Sequence, residues 1–116
     1  ANLSDSNLAG ANFAGADLTG ANLSNSNLSG ADLTGASGIA GNFEAANLTD
    51  ANLTEALLMG ANLQSSNLTR ANFEGAQLLG ARLDDAVLLD AQITEEQLNS
   101  ALSRENVILP DGSATE

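Results

Sequence analysis

The chain has 116 residues, with 15 Asp and Glu against three Lys and Arg, and its formal net charge is −12. It contains no His and no Cys, which removes the commonest general base, the commonest zinc ligand and all disulfide chemistry. No apolar stretch reaches membrane-spanning length, and an acidic surface repels nucleic acid and anionic lipid. We therefore expect one soluble, non-enzymatic domain that uses no cofactor or metal, binds neither nucleic acid nor membrane directly, and prefers basic surfaces.

A five-residue repeat covers residues 1–93. Each quintet starts with a small residue, usually continues with Asn or Asp, carries Leu or Phe at its third position except at Gly38 and Ile93, and ends in two variable positions. Self-similarity at a short, fixed period indicates a solenoid. The third positions supply the predicted core, which consists of Leu3, Leu8, Phe13, Leu18, Leu23, Leu28, Leu33, Phe43, Leu48, Leu53, Leu58, Leu63, Leu68, Phe73, Leu78, Leu83, Leu88 and Ile93.

A period of five fits neither regular element. On a helix of 3.6 residues per turn the Leu residues would point to all sides, and in a flat strand they would alternate between the two faces. The chain must therefore turn once per quintet, so that every Leu points inward. We expect the small first-position residue to stand at the corner, where it lets the backbone pass close to its neighbours.

The number of quintets per coil follows from the exceptions to the repeat. The fourth-position residues Ile39, Met59 and Leu79 are apolar where a polar residue is usual, and they stand twenty residues apart. Four quintets per coil would stack them on one side. The same register stacks like residues in each inward column, for example Leu8, Leu28, Leu48, Leu68 and Leu88.

The quintets resemble the A(D/N)LxX motif of the pentapeptide-repeat family, as in residues 21–25 (ANLSN) and 51–55 (ANLTE). This resemblance implies an all-β solenoid over residues 1–93, a right-handed quadrilateral β-helix with about 20 residues per coil. The chain looks most like the small family members of cyanobacteria and plastids, some of which reside in the thylakoid lumen or periplasm. For this chain the thylakoid lumen, the periplasm and the cytoplasm all stay open.

One quintet departs from the repeat, because Gly38 stands where a large apolar residue is expected. Phe43 still follows Leu33 by ten residues, so the register is kept. We interpret this quintet as a local bulge.

The repeat decays after Ile93, and Thr94 and Gln97 have the spacing of a capping box. We predict a C-terminal capping α-helix from Glu95 to Arg104, within a segment spanning residues 94–105. Its Leu98 and Leu102 share a face that would close the end of the core. The alternative is a dimer contact, which some members of the resembled family make with C-terminal helices.

The last segment, residues 106–116, is predicted to be a tail. Its apolar run Val107-Ile108-Leu109 is followed by Pro110 and polar residues. We expect the run to dock on the rod and the remainder to be loose.

The second-position residues Asn2, Asn22, Asn42 and Asn62 would stack on one face. Their amides have two possible roles, which are hydrogen bonding along the rod and local turn formation. We favour turn formation.

Acidic residues cluster at Asp84-Asp85, Asp90 and Glu95-Glu96. None of these clusters has the spaced ligand series of a dedicated calcium site, so solvated surface is the favoured interpretation.

Some members of the resembled family are thought to mimic DNA on type II topoisomerases such as gyrase. In residues 1–93, ten acids and two Arg leave a net charge of −8, whereas duplex DNA over the expected rod length of roughly 22 Å carries about 13 charges. DNA mimicry is therefore the alternative hypothesis.

The favoured hypothesis is a structural or protein-binding solenoid with an unknown protein partner, present as a monomer or weak homodimer. Its candidate interaction face is the apolar column of Ile39, Met59 and Leu79, flanked by Leu57. Two arrangements would remove this face. Residues Val107 to Leu109 could cover the column, and Ile39 could turn inward to fill the space left by Gly38.

Overall fold

The computed structural model describes residues 2–115 and has the predicted coil. Isolated parallel bridges join residues twenty apart, for example Asn2 with Asn22, then Asn22 with Asn42, and they continue on all four sides of the coil. The molecule measures 33 × 22 × 20 Å, with the cap included. Each coil therefore has four sides of five residues, and the predicted period of twenty is confirmed.

The four sides are named here by the quintets that form them. Face 1 begins at residues 1, 21, 41, 61 and 81, and faces 2, 3 and 4 each begin five residues later than the face before. Face 4 thus comprises residues 16–20, 36–40, 56–60 and 76–80, and it lies between face 3 and face 1. Between residues 2 and 93, the pairing consists of isolated bridges at each second position, with no longer strand.

Each corner is a β-turn built on the fourth and fifth positions of a quintet. The amide of Ala11 donates to the carbonyl of Leu8 at 3.0 Å. The second-position Asn supports the turn, since the amide of Ser24 donates to Oδ1 of Asn22 at 3.0 Å. The amides of the Asn column are therefore used in local turns, as favoured from the sequence.

From Asp5 to Asp90, the fifth position of each quintet lies in the left-handed region, which is strained for any residue other than Gly. Its φ angle is positive both where it is Gly, as at Gly30 (66°), and where it is not, as at Ala45 (59°). The sequence interpretation placed the tight corner at the small first position, and this was wrong. First-position residues such as Ala31 and Ala61 are fully buried (0% exposed) and belong to the core, where only a short side chain fits beside the Leu columns.

The core is a stack of third-position side chains lined by these Ala residues. From Leu23 to Leu88 the Leu and Phe columns are almost completely buried. The half-buried members lie in the first coil and next to the cap, where a coil covers them from one side only; they are Leu3, Leu8, Phe13 and Ile93.

The Gly38 quintet is not a bulge. Ser37 pairs with Leu57, and the amide of Gly38 donates to the carbonyl of Leu57 at 2.7 Å, so the ladder is unbroken. The ring of Phe43 fills the missing volume, because a Cβ added to Gly38 would lie 3.2 Å from Phe43 Cε2. A Cβ added to Gly41 would lie 2.8 Å from the same atom. Phe43 therefore needs two glycines beside it.

The helix α1 spans Glu95–Ser100 and is shorter than the predicted Glu95 to Arg104. It has the capping box, in which the Thr94 side chain accepts from the Gln97 amide and the Gln97 side chain accepts from the Thr94 amide. The Gln97 side chain also donates to the carbonyls of Phe73 at 2.6 Å and Ala76 at 3.0 Å. Leu98 is 3% exposed and continues the inward column of face 4.

The chain returns to the β-helix directly after α1, which corrects the predicted helical segment 94–105. Ser103 pairs with Arg82 and Ile108 pairs with Val87, so the spacing is 21 residues where the coils use twenty. The turn of α1 takes up the additional residue. Leu102 was predicted to close the core but is 65% exposed, because the helix has already ended before it.

The predicted loose tail is ordered over its described residues. Val107 is fully buried, Ile108 pairs antiparallel with Ala114, and the amide of Thr115 donates to the carbonyl of Val107 at 2.9 Å. Residues 107–115 thus form a short hairpin over face 2. This antiparallel strand ends the parallel ladder on that face.

Candidate interaction surface

Face 4 carries no charged residue over three successive coils. Residues 36–40, 56–60 and 76–80 contain no Asp, Glu, Lys or Arg, although the whole chain has a net charge of −12. The corner residues of this face are also small, as at Ala40, Gly60 and Gly80. Exposed apolar surface of this kind often marks a contact site, which makes face 4 the candidate interaction surface.

The apolar column on face 4 stays uncovered in the structure. Ile39, Leu57 and Met59 are half-buried, and Leu79 at the upper end is 67% exposed. Ile39, Met59 and Leu79 each form one rung of the column. Ile39 and Met59 each have the next rung above them, whereas Leu79 has the helix α1 at the next level.

Neither arrangement that would remove the column occurs in the structure. Residues Val107 to Leu109 lie on face 2, where the amide of Leu88 donates to the carbonyl of Ile108 at 2.7 Å. Phe43 occupies the space at Gly38, so Ile39 keeps its fourth position on the outer side of the coil. All three rungs are therefore available on one face.

A groove lies at the upper end of the column, between coil and cap. Its volume is about 360 Å³, and its lining includes Leu79, Gln77, Glu96 and Ser100. The sequence interpretation missed this groove because it depends on how α1 packs against the last coil. Leu102 follows at the corner of faces 4 and 1, with its amide donating to the carbonyl of Ala81 at 2.7 Å, and it adds exposed apolar surface there.

Several acids outside the uncharged stretch of face 4 form local bonds. Arg70 donates to both carboxylate oxygens of Asp50, at 2.8 and 3.1 Å, and these bonds hold the pKa of Asp50 below its ordinary value. Hydrogen bonds from Thr19 and Thr34 likewise lower the pKa of Asp17 and Asp32. These carboxylates stabilise the turns and corners of the coil.

Asp84 fastens the returning chain to the last full coil. Its carboxylate accepts from the amide of Glu105 at 2.7 Å, from Ser103 Oγ at 2.8 Å and from Gln64 Nε2 at 3.1 Å. The bonds from Glu105 and then Ser103 are the largest causes of its lowered pKa. A carboxylate with this many donors has a structural role in the cap.

The predicted acidic clusters do not assemble into a metal centre. Among residues 2–115, no three acidic side chains come together in a way that could hold a metal ion. Within the same range, no helix has the length and apolar character needed to cross a membrane.

A family model described as pentapeptide repeats matches residues 1–37, 42–75 and 66–101, in 8 copies. The chain belongs to the pentapeptide-repeat family. The resemblance stated from the quintets is thereby confirmed, and so is the fold of the family, the right-handed quadrilateral β-helix. The unmatched residues 38–41 include Gly38 and Gly41, the two glycines that accommodate Phe43.

Two solved structures place the chain within this family. A pentapeptide repeat protein from the thylakoid lumen of Arabidopsis thaliana is 28% identical with a TM-score of 0.70, covering 97% of this chain and 86% of that one. The pentapeptide repeat protein Rfr23 from the cyanobacterium Cyanothece 51142 is 38% identical with a TM-score of 0.52, covering 75% of this chain and 63% of that one.

A third structure shares only the fold. QnrB1, a plasmid-mediated fluoroquinolone resistance protein, is 17% identical with a TM-score of 0.58, and the match covers 86% of this chain and 59% of QnrB1. Among curated proteins, none matches this chain.

Proposed function

We propose that this protein is a non-enzymatic, protein-binding solenoid and that face 4 is its interaction surface. The single observation that carries the proposal is the uncovered apolar column of Ile39, Met59 and Leu79 on three successive coils of face 4 that carry no charged residue. The rigid coil presents these side chains at fixed spacing, which favours recognition because little ordering entropy is lost on binding.

DNA mimicry fits the charge arrangement less well. A mimic of duplex DNA needs free negative charges in regular rows, whereas Asp50 is paired with Arg70 and Asp84 is occupied by three donors. The likeness to QnrB1, at 17% identity, concerns the fold. A gyrase supercoiling assay with a charge-matched unrelated acidic protein as control separates the hypotheses. We expect no specific inhibition, and inhibition at low micromolar concentration would favour mimicry.

The interaction surface is tested with a double substitution, Met59→Asp with Leu79→Asp. Both positions are solvent-accessible fourth positions, where Asp84 shows that an Asp is compatible with the coil. We expect the double variant to keep its circular dichroism spectrum and melting temperature. It should lose the binding partners that wild-type protein retains in a quantitative pull-down.

The matched control is Ala9→Asp with Ser29→Asp. These residues occupy the same fourth position on face 2, so the control adds the same two charges to a different surface. Partners that depend on face 4 should be retained by this control. Equal loss from both variants would assign binding to total charge, and retention by both would place the partner surface elsewhere.

A further inference from the structure

The chemistry of the partner follows from what borders face 4. Glu55 and Glu74 lie on face 3 beside it, and Glu96 of α1 lines the groove at its upper end. The ion pairs of residues 2–115 are Arg70 with Asp50 and Arg104 with Glu95, so none of these three carboxylates has a cationic partner within the described chain. The apolar column therefore has a border of unneutralised negative charge on one side.

This border disfavours a second copy of the chain as the occupant. Two copies meeting through face 4 would bring together molecules of net charge −12 each. Like charges placed opposite each other across an interface oppose association, whereas a basic partner gains in both encounter rate and specificity.

The distance between successive side chains of the apolar column indicates which secondary structure of a partner would match it. Neighbouring coils of a β-structure lie about 4.8 Å apart, so Ile39, Met59 and Leu79 follow one another at roughly that interval. An α-helix lying along the rod presents side chains at i, i+3 or i+4, and i+7, which is about 5.3 Å per step. A β-strand presents same-face residues about 6.7 Å apart and would lose register within two rungs.

We propose that face 4 binds a basic amphipathic α-helix of a partner protein, lying parallel to the long axis of the rod. Three apolar residues of that helix, spaced i, i+3 or i+4 and i+7, contact the rungs of Ile39, Met59 and Leu79. Lys or Arg residues beside this stripe contact Glu55, Glu74 and Glu96. This inference rests on the proposed function and names the class of partner for the same surface.

The direct test uses synthetic peptides measured by fluorescence anisotropy against the full chain. The probe is an 18-residue helical peptide with Leu at i, i+3/i+4 and i+7 and Lys on both flanks. The first control has the same composition in scrambled order, and the second replaces every Lys by Glu. We expect the probe to bind at least about tenfold more tightly than either control, a free-energy difference of about 1.4 kcal/mol.

Protein variants then separate the apolar from the charged contribution. Met59→Asp with Leu79→Asp should weaken probe binding at least about tenfold, whereas the face 2 control Ala9→Asp with Ser29→Asp should not weaken it. Glu74→Gln with Glu96→Gln should weaken binding several-fold at low salt. This difference should shrink at high salt, because exposed ion pairs are screened.

Three outcomes would overturn the inference, and they differ from failure of the proposed function. Equal binding of the scrambled peptide would mean that total charge alone attracts it. Equal binding of the Glu-flanked peptide would remove the role of the acidic border. A doubled mass in light scattering that Met59→Asp with Leu79→Asp abolishes would make a second copy the occupant and would leave face 4 as the interaction surface.

Discussion

The regular coils and the C-terminal segment are stabilised in different ways. In residues 2–93 the quintets repeat the same turn, the same bonds to the coils above and below and, apart from Gly38 and Ile93, an inward Leu or Phe. In residues 94–115 several contacts have no counterpart in the coils, as with the Gln97 side chain on the Phe73 carbonyl and the Asp84 carboxylate on the Glu105 amide.

This difference predicts different responses to substitution. Loss of one rung in the coils affects a stack that is shared by its neighbours, so the whole rod should be weakened. Loss of one contact in the C-terminal segment should release only the residues that it holds. Substitutions in the two regions can therefore be compared directly, beginning with the largest expected effect.

Leu53→Ala should destabilise the whole rod by about 2–5 kcal/mol, because it removes buried apolar surface and leaves a cavity between Leu33 and Phe73. Urea denaturation gives the free energy of unfolding. The comparison variant Leu98→Ala should chiefly increase hydrogen exchange in residues 94–115. The distinction between the regions fails if Leu98→Ala lowers the global stability as much as Leu53→Ala does.

Gly38→Leu should destabilise the rod by about 1–3 kcal/mol, since its new Cβ would lie 2.9 Å from Leu58 Cδ2 and 3.2 Å from the Phe43 ring. Combination with Phe43→Leu should recover most of this loss and restore an ordinary quintet. A double-mutant cycle measures the coupling, which should exceed about 1 kcal/mol. Gly38→Leu combined with Phe73→Leu is the control, and its two effects should add. Additivity in the Phe43 pair would contradict the compensation.

Asp84→Asn should loosen residues 103–105 by about 1–2 kcal/mol, because the amide cannot accept all three bonds of the half-exposed carboxylate. Amide hydrogen exchange at Glu105 measures the loss, and Asp85→Asn is the neighbouring control. Unchanged protection at Glu105 would show that the carboxylate does not hold the returning chain.

The same carboxylate makes the C-terminal segment sensitive to acid. The pKa of Asp84 is lowered in the folded protein, so its contribution is complete above the unfolded pKa of about 3.9 and is lost as pH falls through the folded value. Hydrogen exchange in residues 103–105 should therefore rise, relative to the intrinsic rate, below about pH 4. Asp84→Asn should remove most of this pH dependence, and an unaltered profile in the variant would assign it to other carboxyls.

Ala45→Gly should stabilise the rod by about 0.5–1 kcal/mol, because Ala45 has a φ angle of 59° that glycine adopts without steric cost. Gly30→Ala is the converse substitution, at a φ angle of 66° with no atom within 4 Å of the new Cβ. It should destabilise by a similar amount, and thermal melts measure both. If Ala45→Gly raises the melting temperature and Gly30→Ala lowers it, the positive φ angle of the corner is the cause. Changes in the same direction would contradict this explanation.

The coil was predictable because every quintet repeats the same information. The twenty-residue spacing of Ile39, Met59 and Leu79 was enough to infer four quintets per coil, and the bridges confirm it. The left-handed corners were missed although their signal was visible, since Gly, Asn and Asp are frequent at the fifth position. These are the residues that tolerate a positive φ angle.

The C-terminal segment was less predictable because its contacts depend on one register change. The capping box of Thr94 and Gln97 follows from local spacing, but the end of α1 at Ser100 does not. Beyond α1 the chain pairs with residues that stand 21 positions earlier in the sequence. The five-residue repeat predicts a spacing of 20 and gives no sign of this change. The groove at Leu79 was not predictable for the same reason, since it lies between the coil and α1 and depends on how the helix packs there.

The turn that ends every quintet also has an evolutionary consequence. The first three positions build the core and the bridges, and the fifth needs only to tolerate its corner, so the fourth position can vary without disturbing the coil. Fourth positions on one face are twenty residues apart in the gene but adjacent in space. A lineage can thus acquire or lose a binding face through three or so separate substitutions, with a folded protein at each step.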